Sequence, residues 1–449
     1  MQFLSFNKYI KNKDNRLLLI NIFGNYLIKG GAMIVSILIM PAYIKYFKSE
    51  SALGMWFTIT QLLNWIMLLD FGIGSGIRNK IIEPLQNKDY KRVVELISST
   101  YIFTAILVIL LTVISILLVD KINWMAILGV DSTELTSKQL NEIVLVLILG
   151  VVFRFFSVIV SQILYALQKA ILPSLLILVS NILILFYLYF SVPNGTNDIL
   201  KLAYVNSLAN NLPAVFVTVW LFKRVLIGLG PQLKKFSLKT ALDIISLGGV
   251  LFYVQIIFMF LFNVKELYIT WFVGSAAVVE YQIYYKLIGI IGGLYALALN
   301  PVWSAVTKAM AEGNREWVNK LYKKAIYVIV LFGFGQLLLV FFMPWIVNIW
   351  LKGYAVSVST TNGLYFAIYN LIYMWMMLNY NFACGLGRIN VMAIWVTIAT
   401  VLNYVLTVYI SQMLQSWVAV IIATAIVSAP CALAVQLDIK KFMINKGTK

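Results

Sequence analysis

Apolar residues fall in twelve long blocks, near 17–44, 52–76, 96–119, 141–166, 170–192, 200–222, 242–264, 274–300, 325–349, 362–385, 390–411 and 417–438. All of them exceed the ~20 residues an α-helix needs to cross a hydrocarbon layer about 30 Å thick. The pattern predicts an all-α, polytopic membrane protein of about twelve transmembrane helices. The first block is preceded by Lys8, Lys11, Lys13 and Arg16. It is much longer than the apolar region of a signal peptide and lacks a small-residue cleavage site, so it is expected to remain as the first span. The longest interval assigned to the outer side, about 120–140, carries Asp120, Asp131 and Glu134 with only Lys121 and Lys138, so no outer domain is expected.

Composition strengthens this reading. Of the 449 residues 62% are hydrophobic and 12% charged, too few charges to coat the surface of a soluble protein. Lys plus Arg 35 against Asp plus Glu 17 gives +18. In a soluble chain that balance would suggest nucleic acid; here membrane lipid is the expected partner and nucleic acid is not. The absence of His removes His-based triads and His-ligated zinc. Cys384 and Cys431 both lie inside apolar blocks. Neither a disulfide frame, a metal site nor a cofactor is expected, and the chain is not read as an enzyme.

The charges also orient the chain. With both termini in the cytoplasm, the inner segments hold 25 of the 35 basic residues: Lys8 to Arg16, Arg78 to Arg92, Lys169, Lys223 to Lys239, Lys308 to Lys324, Arg388 and Lys440 to Lys449. The outer loops hold seven, Lys45, Lys48, Lys121, Lys138, Lys201, Lys265 and Lys352. The polar interval Asn87-Lys-Asp-Tyr-Lys-Arg92 recurs as Glu312-Gly-Asn-Arg-Glu-Trp317, and pairing Asp89 with Asn314 offsets the halves by 225 residues. Two six-helix bundles are therefore expected, residues 1–222 and 241–449. A basic cytoplasmic connection over 223–240, containing Gly228, Gly230 and Pro231, is read as their hinge.

Three cations remain inside predicted spans: Lys29, Arg154 and Lys286. Lys29 stands ~18 Å along the first span, and a central cation costs roughly 2.5–3.5 kcal/mol on insertion scales. Helical spacing puts Asn21, Asn25, Lys29, Ala32 and Ser36 within a sector of about 90°. Arg154, Ser157, Ser161 and Tyr165 share a face of the fourth span, and Gln282, Lys286, Gly289 and Gly293 share one of the eighth. The plainer explanation is that each cation neutralises a buried acid. The acids at hand, Asp70, Glu266 and Glu280, all read as lying near span ends. The three cations are thus expected to line a central cavity for an anionic ligand. Asn25, Asn64, Gln282 and Tyr285 are candidate glycan contacts. Arg78 and Lys80 are candidates for substrate admission or lipid phosphate contact, with ordinary positive-inside anchoring the alternative. Trp56, Trp124, Trp271, Trp345, Trp350 and Trp417 read mostly as an interfacial belt.

Twelve spans in two halves, with Asp70-Phe-Gly-Ile-Gly-Ser-Gly-Ile-Arg-Asn-Lys80 and the Asn87-Lys-Asp89 turn, resemble the polysaccharide exporters of the multidrug/oligosaccharidyl-lipid/polysaccharide superfamily, above all its Wzx-type O-antigen flippases. The resemblance implies a V-shaped pair of six-helix bundles around a central cavity. It also implies alternating access, moving an undecaprenyl-diphosphate-linked oligosaccharide across a bacterial cytoplasmic membrane, with polysaccharide polymerase and chain-length proteins as partners. Lys29, Arg154 and Lys286 would then bind the diphosphate, and no coupling-ion site carries over. A multidrug or cation exporter of the same superfamily is the first rival, and it would want a deep carboxylate. A membrane-embedded glycan polymerase is the second; it would want a substantial outer loop with catalytic Arg or His.

Overall fold

The computed structural model describes residues 13–47, 49–68, 73–130, 135–167, 169, 171–191, 197–245, 249–299, 302–351 and 358–444. Every regular element in them is helical. The α-helices are α1 Lys13–Phe47, α2 Glu50–Leu68, α3 Ile73–Lys80, α4 Ile82–Gln86, α5 Tyr90–Leu118, α6 Trp124–Leu128, α7 Ser137–Ser157, α8 Ile159–Ala166, α9 Ile171–Phe190 and α10 Asn197–Trp220. After a basic connector come α11 Leu238–Ile245, α12 Gly249–Phe262, α13 Lys265–Phe272, α14 Ser275–Leu299, α15 Val302–Ala311, α16 Arg315–Trp350, α17 Thr360–Gly385, α18 Ile389–Leu414 and α19 Val418–Ile444.

The described residues of all twelve predicted blocks lie mainly on these helices. Eight described helices are long and apolar enough to cross a membrane, nine if the pair 253–262 and 265–272, bent by 41°, is one span. The chain is a multi-pass membrane protein. Helix is the form such segments take because hydrocarbon offers backbone N–H and C=O groups no partner outside their own helix. The breaks inside the blocks are what periodicity did not reveal. The second block is divided between α2 and α3, the fourth turns at Val158, and the seventh comprises α11 and α12, with α13 continuing beyond its predicted end. Asp70, Phe71 and Gly72 of the glycine-rich motif lie outside the described residues.

The chain forms two compact units, residues 1–46, 66–125 and 131–248, and residues 47–65, 126–130 and 249–449. Most of α2 thus belongs with the second unit. In the first unit α7 lies along α10 and α5, while α3 packs on α8. Ile77, Val93, Ile97, Val160, Ile163 and Leu221 are at the centre of its hydrophobic cluster. In the second unit α17 is surrounded by α14, α15, α16 and α19, and α18 packs on α12 and α19. Trp56 and Trp417, expected in an interfacial belt, are instead 1% and 2% exposed and serve as core residues. Trp345 is exposed, as a belt residue should be.

Two helices whose starts the sequence pairs are capped alike. Asp89 caps α5 by accepting a hydrogen bond from the Arg92 amide at 3.1 Å, and Asn314, 225 positions on, caps α16 by accepting from the Trp317 amide at 3.1 Å. The caps share non-helical backbone angles, φ −78° and ψ 75° against φ −85° and ψ 62°. Asn314→Ala should destabilise the protein by about 1 kcal/mol, and Asn314→Asp should be nearly neutral because the acceptor is kept. Thermal unfolding of the two variants in detergent checks this.

Candidate binding site

Arg154 sits in the last turn of α7, partly buried, one turn before the Val158 break. Its guanidinium donates to the Asn210 side-chain oxygen at 2.7 Å and to the Asn210 carbonyl at 3.3 Å. Asn210 in turn donates to the carbonyl and side-chain oxygens of Asn206, at 2.9 and 3.0 Å. Beside this chain, Ser157 donates to Asn211 at 2.7 Å, and Asn211 donates to the carbonyls of Gly150 and Ser207, both at 2.9 Å. Gly150 allows this closeness: a Cβ there would stand 2.6 Å from Ser207 Cβ. The α7–α10 interface is therefore a ladder of amides and hydroxyls that holds one cation. Among the described residues Arg154 has no carboxylate partner. Neutral dipoles position it without cancelling its charge.

Lys29 lies in the same unit, partly buried on α1. Gly24 and Gly31 face α9, where a Cβ would meet Ile171 at 3.0 Å and Leu178 at 3.9 Å. At 100° per residue Lys29 is displaced from those positions by roughly 140–160°, so it points away from α9. A Cβ on the adjacent Gly30 would meet nothing within 4 Å. Lys29 likewise has no ion-pair partner among the described residues. Asn25's side chain lies outside what is described.

Lys286 belongs to the second unit, partly buried on α14, so of the three predicted cations only Lys29 and Arg154 share a unit. One turn earlier Gln282 is 7% exposed and donates to Glu266 at 3.0 Å, which gives this expected glycan contact an internal partner. Tyr285 is half-exposed and stacks on Tyr281 with ring centres 5.9 Å apart, and Asn64 is exposed. Arg78 is exposed, its guanidinium 5.0 Å from the centre of the Tyr165 ring. Lys80 donates to the Asp243 carbonyl at 2.7 Å and so fastens α11 to α3.

The sequence reading put Lys265 in an outer loop and Glu266 at a boundary. Both are instead inside the second unit, 2% and 3% exposed. The bend after Phe262 turns α13 inward. There the Lys265 ammonium donates to the Phe262 carbonyl and sits 4.8 Å from the centre of the Tyr369 ring. Gln282 and Tyr369, supplied by α14 and α17, join the Phe262 carbonyl in making the burial of this pair tolerable. This unit therefore contains a buried carboxylate that the charge count had not anticipated.

The sequence model of a family described as "Polysaccharide biosynthesis protein" matches residues 18–304. An O-antigen export protein of Yersinia pseudotuberculosis is 23% identical over 384 residues, covering 82% of this chain and 84% of its own. A multidrug resistance MATE family transporter of the MOP superfamily, in an inward-facing conformation, has the same fold at TM-score 0.70 and 15% identity, covering 94% of this chain and 96% of its own. The lipid II flippase MurJ superimposes at TM-score 0.68 and 15% identity, covering 94% and 87%.

Proposed function

We propose, on the premise that the chain belongs to the polysaccharide biosynthesis protein family, that it flips an undecaprenyl-diphosphate-linked oligosaccharide across the bacterial cytoplasmic membrane by alternating access. The observation that carries this reading is Arg154, held among amides with no carboxylate partner among the described residues. A cation placed in that way retains its attraction for an anion, and a guanidinium offers several donors to phosphate oxygens. Lys29, with open space beside it, adds a second positive charge in the same unit. The matched family and the Yersinia relative support a glycan on the other side of the diphosphate. Both termini are assigned to the cytoplasm, and polymerase and chain-length proteins would act on the delivered unit.

A cation exporter would make use of a buried acid, and Glu266 is one. Its neighbour Lys265 supplies a positive charge from within the protein, which leaves less reason to recruit a cationic substrate there.

Reconstituted protein and a defined undecaprenyl-diphosphate-linked oligosaccharide provide the test. Lys29→Ala and Arg154→Gln should each lower flipping about tenfold, the equivalent of one charge-assisted hydrogen bond to phosphate. Undiminished flipping by the Lys29→Ala and Arg154→Gln double variant, at normal membrane abundance, would sink the assignment.

A further inference from the structure

The basic connector is bonded to the first unit along much of its length. The apolar side chains between 223 and 245 form two sets. Leu226, Ala241 and Ile244 are 6%, 2% and 1% exposed, and Leu226 and Ile244 join the hydrophobic cluster of the first unit. Polar bonds fix the segment in that seat. Gln232 and Ser237 donate backbone amides to Ser98 and Ser99 of α5 at 2.9 and 3.0 Å, and Thr240 donates to Glu95 at 2.5 Å. Lys80 holds the Asp243 carbonyl, and Gly76 lets α3 touch the Ile244 backbone.

The second set faces outward. Ile227, Leu233, Leu238 and Leu242 are 72%, 82%, 55% and 53% exposed. On α11, Leu238 and Leu242 are one turn apart and Lys239 lies beside them, while Thr240, Ala241 and Ile244 take the buried side. Five cations, Lys223, Arg224, Lys234, Lys235 and Lys239, all exposed, are interleaved with these leucines, and Asp243 is the sole acid in the stretch. The connector starts directly at the end of the candidate span Asp198–Val225. Rigidly seated leucines 50–80% exposed would be unfavourable in water. At the boundary of a bilayer leaflet they gain apolar surroundings, while their basic neighbours meet lipid phosphates.

We propose that this outer face of residues 227–242 docks onto the leaflet in which the span ends, with Leu233, Leu238 and Leu242 inserted and Lys234, Lys235 and Lys239 bound to anionic phospholipid headgroups. The docked connector gives the first unit an edge fixed to the membrane surface. The proposal rests on the fold alone, so it stands or falls separately from the identity of the transported lipid.

The test places an environment-sensitive fluorophore on Leu233→Cys in the full chain, with Cys384→Ala and Cys431→Ala, in phosphatidylcholine nanodiscs with and without phosphatidylglycerol. With phosphatidylglycerol present, the emission should move to shorter wavelength and brominated acyl chains should quench it. Lys234→Gln, Lys235→Gln and Lys239→Gln should each weaken this response about fivefold. A water-like label in both lipids would overturn the proposal. So would equal burial in neutral lipid that survives all three substitutions, or burial that depends on a second protein copy and persists in detergent.

Discussion

Glu266→Gln is expected to lower the unfolding midpoint in detergent by on the order of 10 °C, and Lys265→Met added to it should recover part of that loss. The wild-type arrangement puts two opposite charges one residue apart, both nearly devoid of solvent. The carboxylate takes a hydrogen bond from Gln282, and the ammonium rests on the Phe262 carbonyl and the Tyr369 ring face. Neutralising only the acid keeps its shape but leaves a buried cation whose nearest opposite charge has gone, a loss of about 3–5 kcal/mol for buried charges in general. Removing the cation as well returns the site to a polar but uncharged state, so the two substitutions should be strongly non-additive. If the double variant is as unstable as the sum of the singles, the charges do not compensate each other.

This site marks where sequence reasoning stopped being sufficient. The apolar blocks were legible because lipid leaves a spanning chain almost no alternative to helix. Asp89 and Asn314 were paired by position alone, and each caps the helix that follows it, an interaction that needs only the first turn of that helix. From the sequence Lys265 reads as an outer-loop residue and Glu266 as lying near the outer boundary of a span. Their burial depends on α14 and α17, which come later in the chain. The anchoring of the connector was unreadable for a related reason. Its glycines and proline suggested freedom, whereas the serines of α5 that bind its amides are over a hundred residues away. Arg154 reads from the sequence as part of a polar face, and in the structure it bonds to Asn210 of α10. That its partner would be an asparagine and not an acid was unreadable, because a polar residue in a span is more often a helix-packing contact than a functional one.

The last expectation concerns a glycine whose role is closeness. Gly54→Ala should destabilise the second unit by about 3 kcal/mol, toward the upper range for overpacking, because the obstacle is backbone. A Cβ at residue 54 would run into the carbonyl of Ser275, the first residue of α14. Three hydrogen bonds hold that junction and oppose retreat. Ser51 and Ser275 share one at 2.9 Å, Thr58 and Thr270 share another at 2.9 Å, and Ser275 donates to the Gly129 carbonyl at 3.3 Å. Gly335→Ala on α16 is the control, since a Cβ there would meet nothing within 4 Å. It should be stabilising by about 0.5–1 kcal/mol, the ordinary gain from replacing glycine inside a helix. The same chemical change should thus have opposite signs at the two positions, read as unfolding midpoints in one detergent. Equal midpoints would mean that α2 does not approach α14 as closely as the structure places it. Most of α2 would then no longer belong with the second unit.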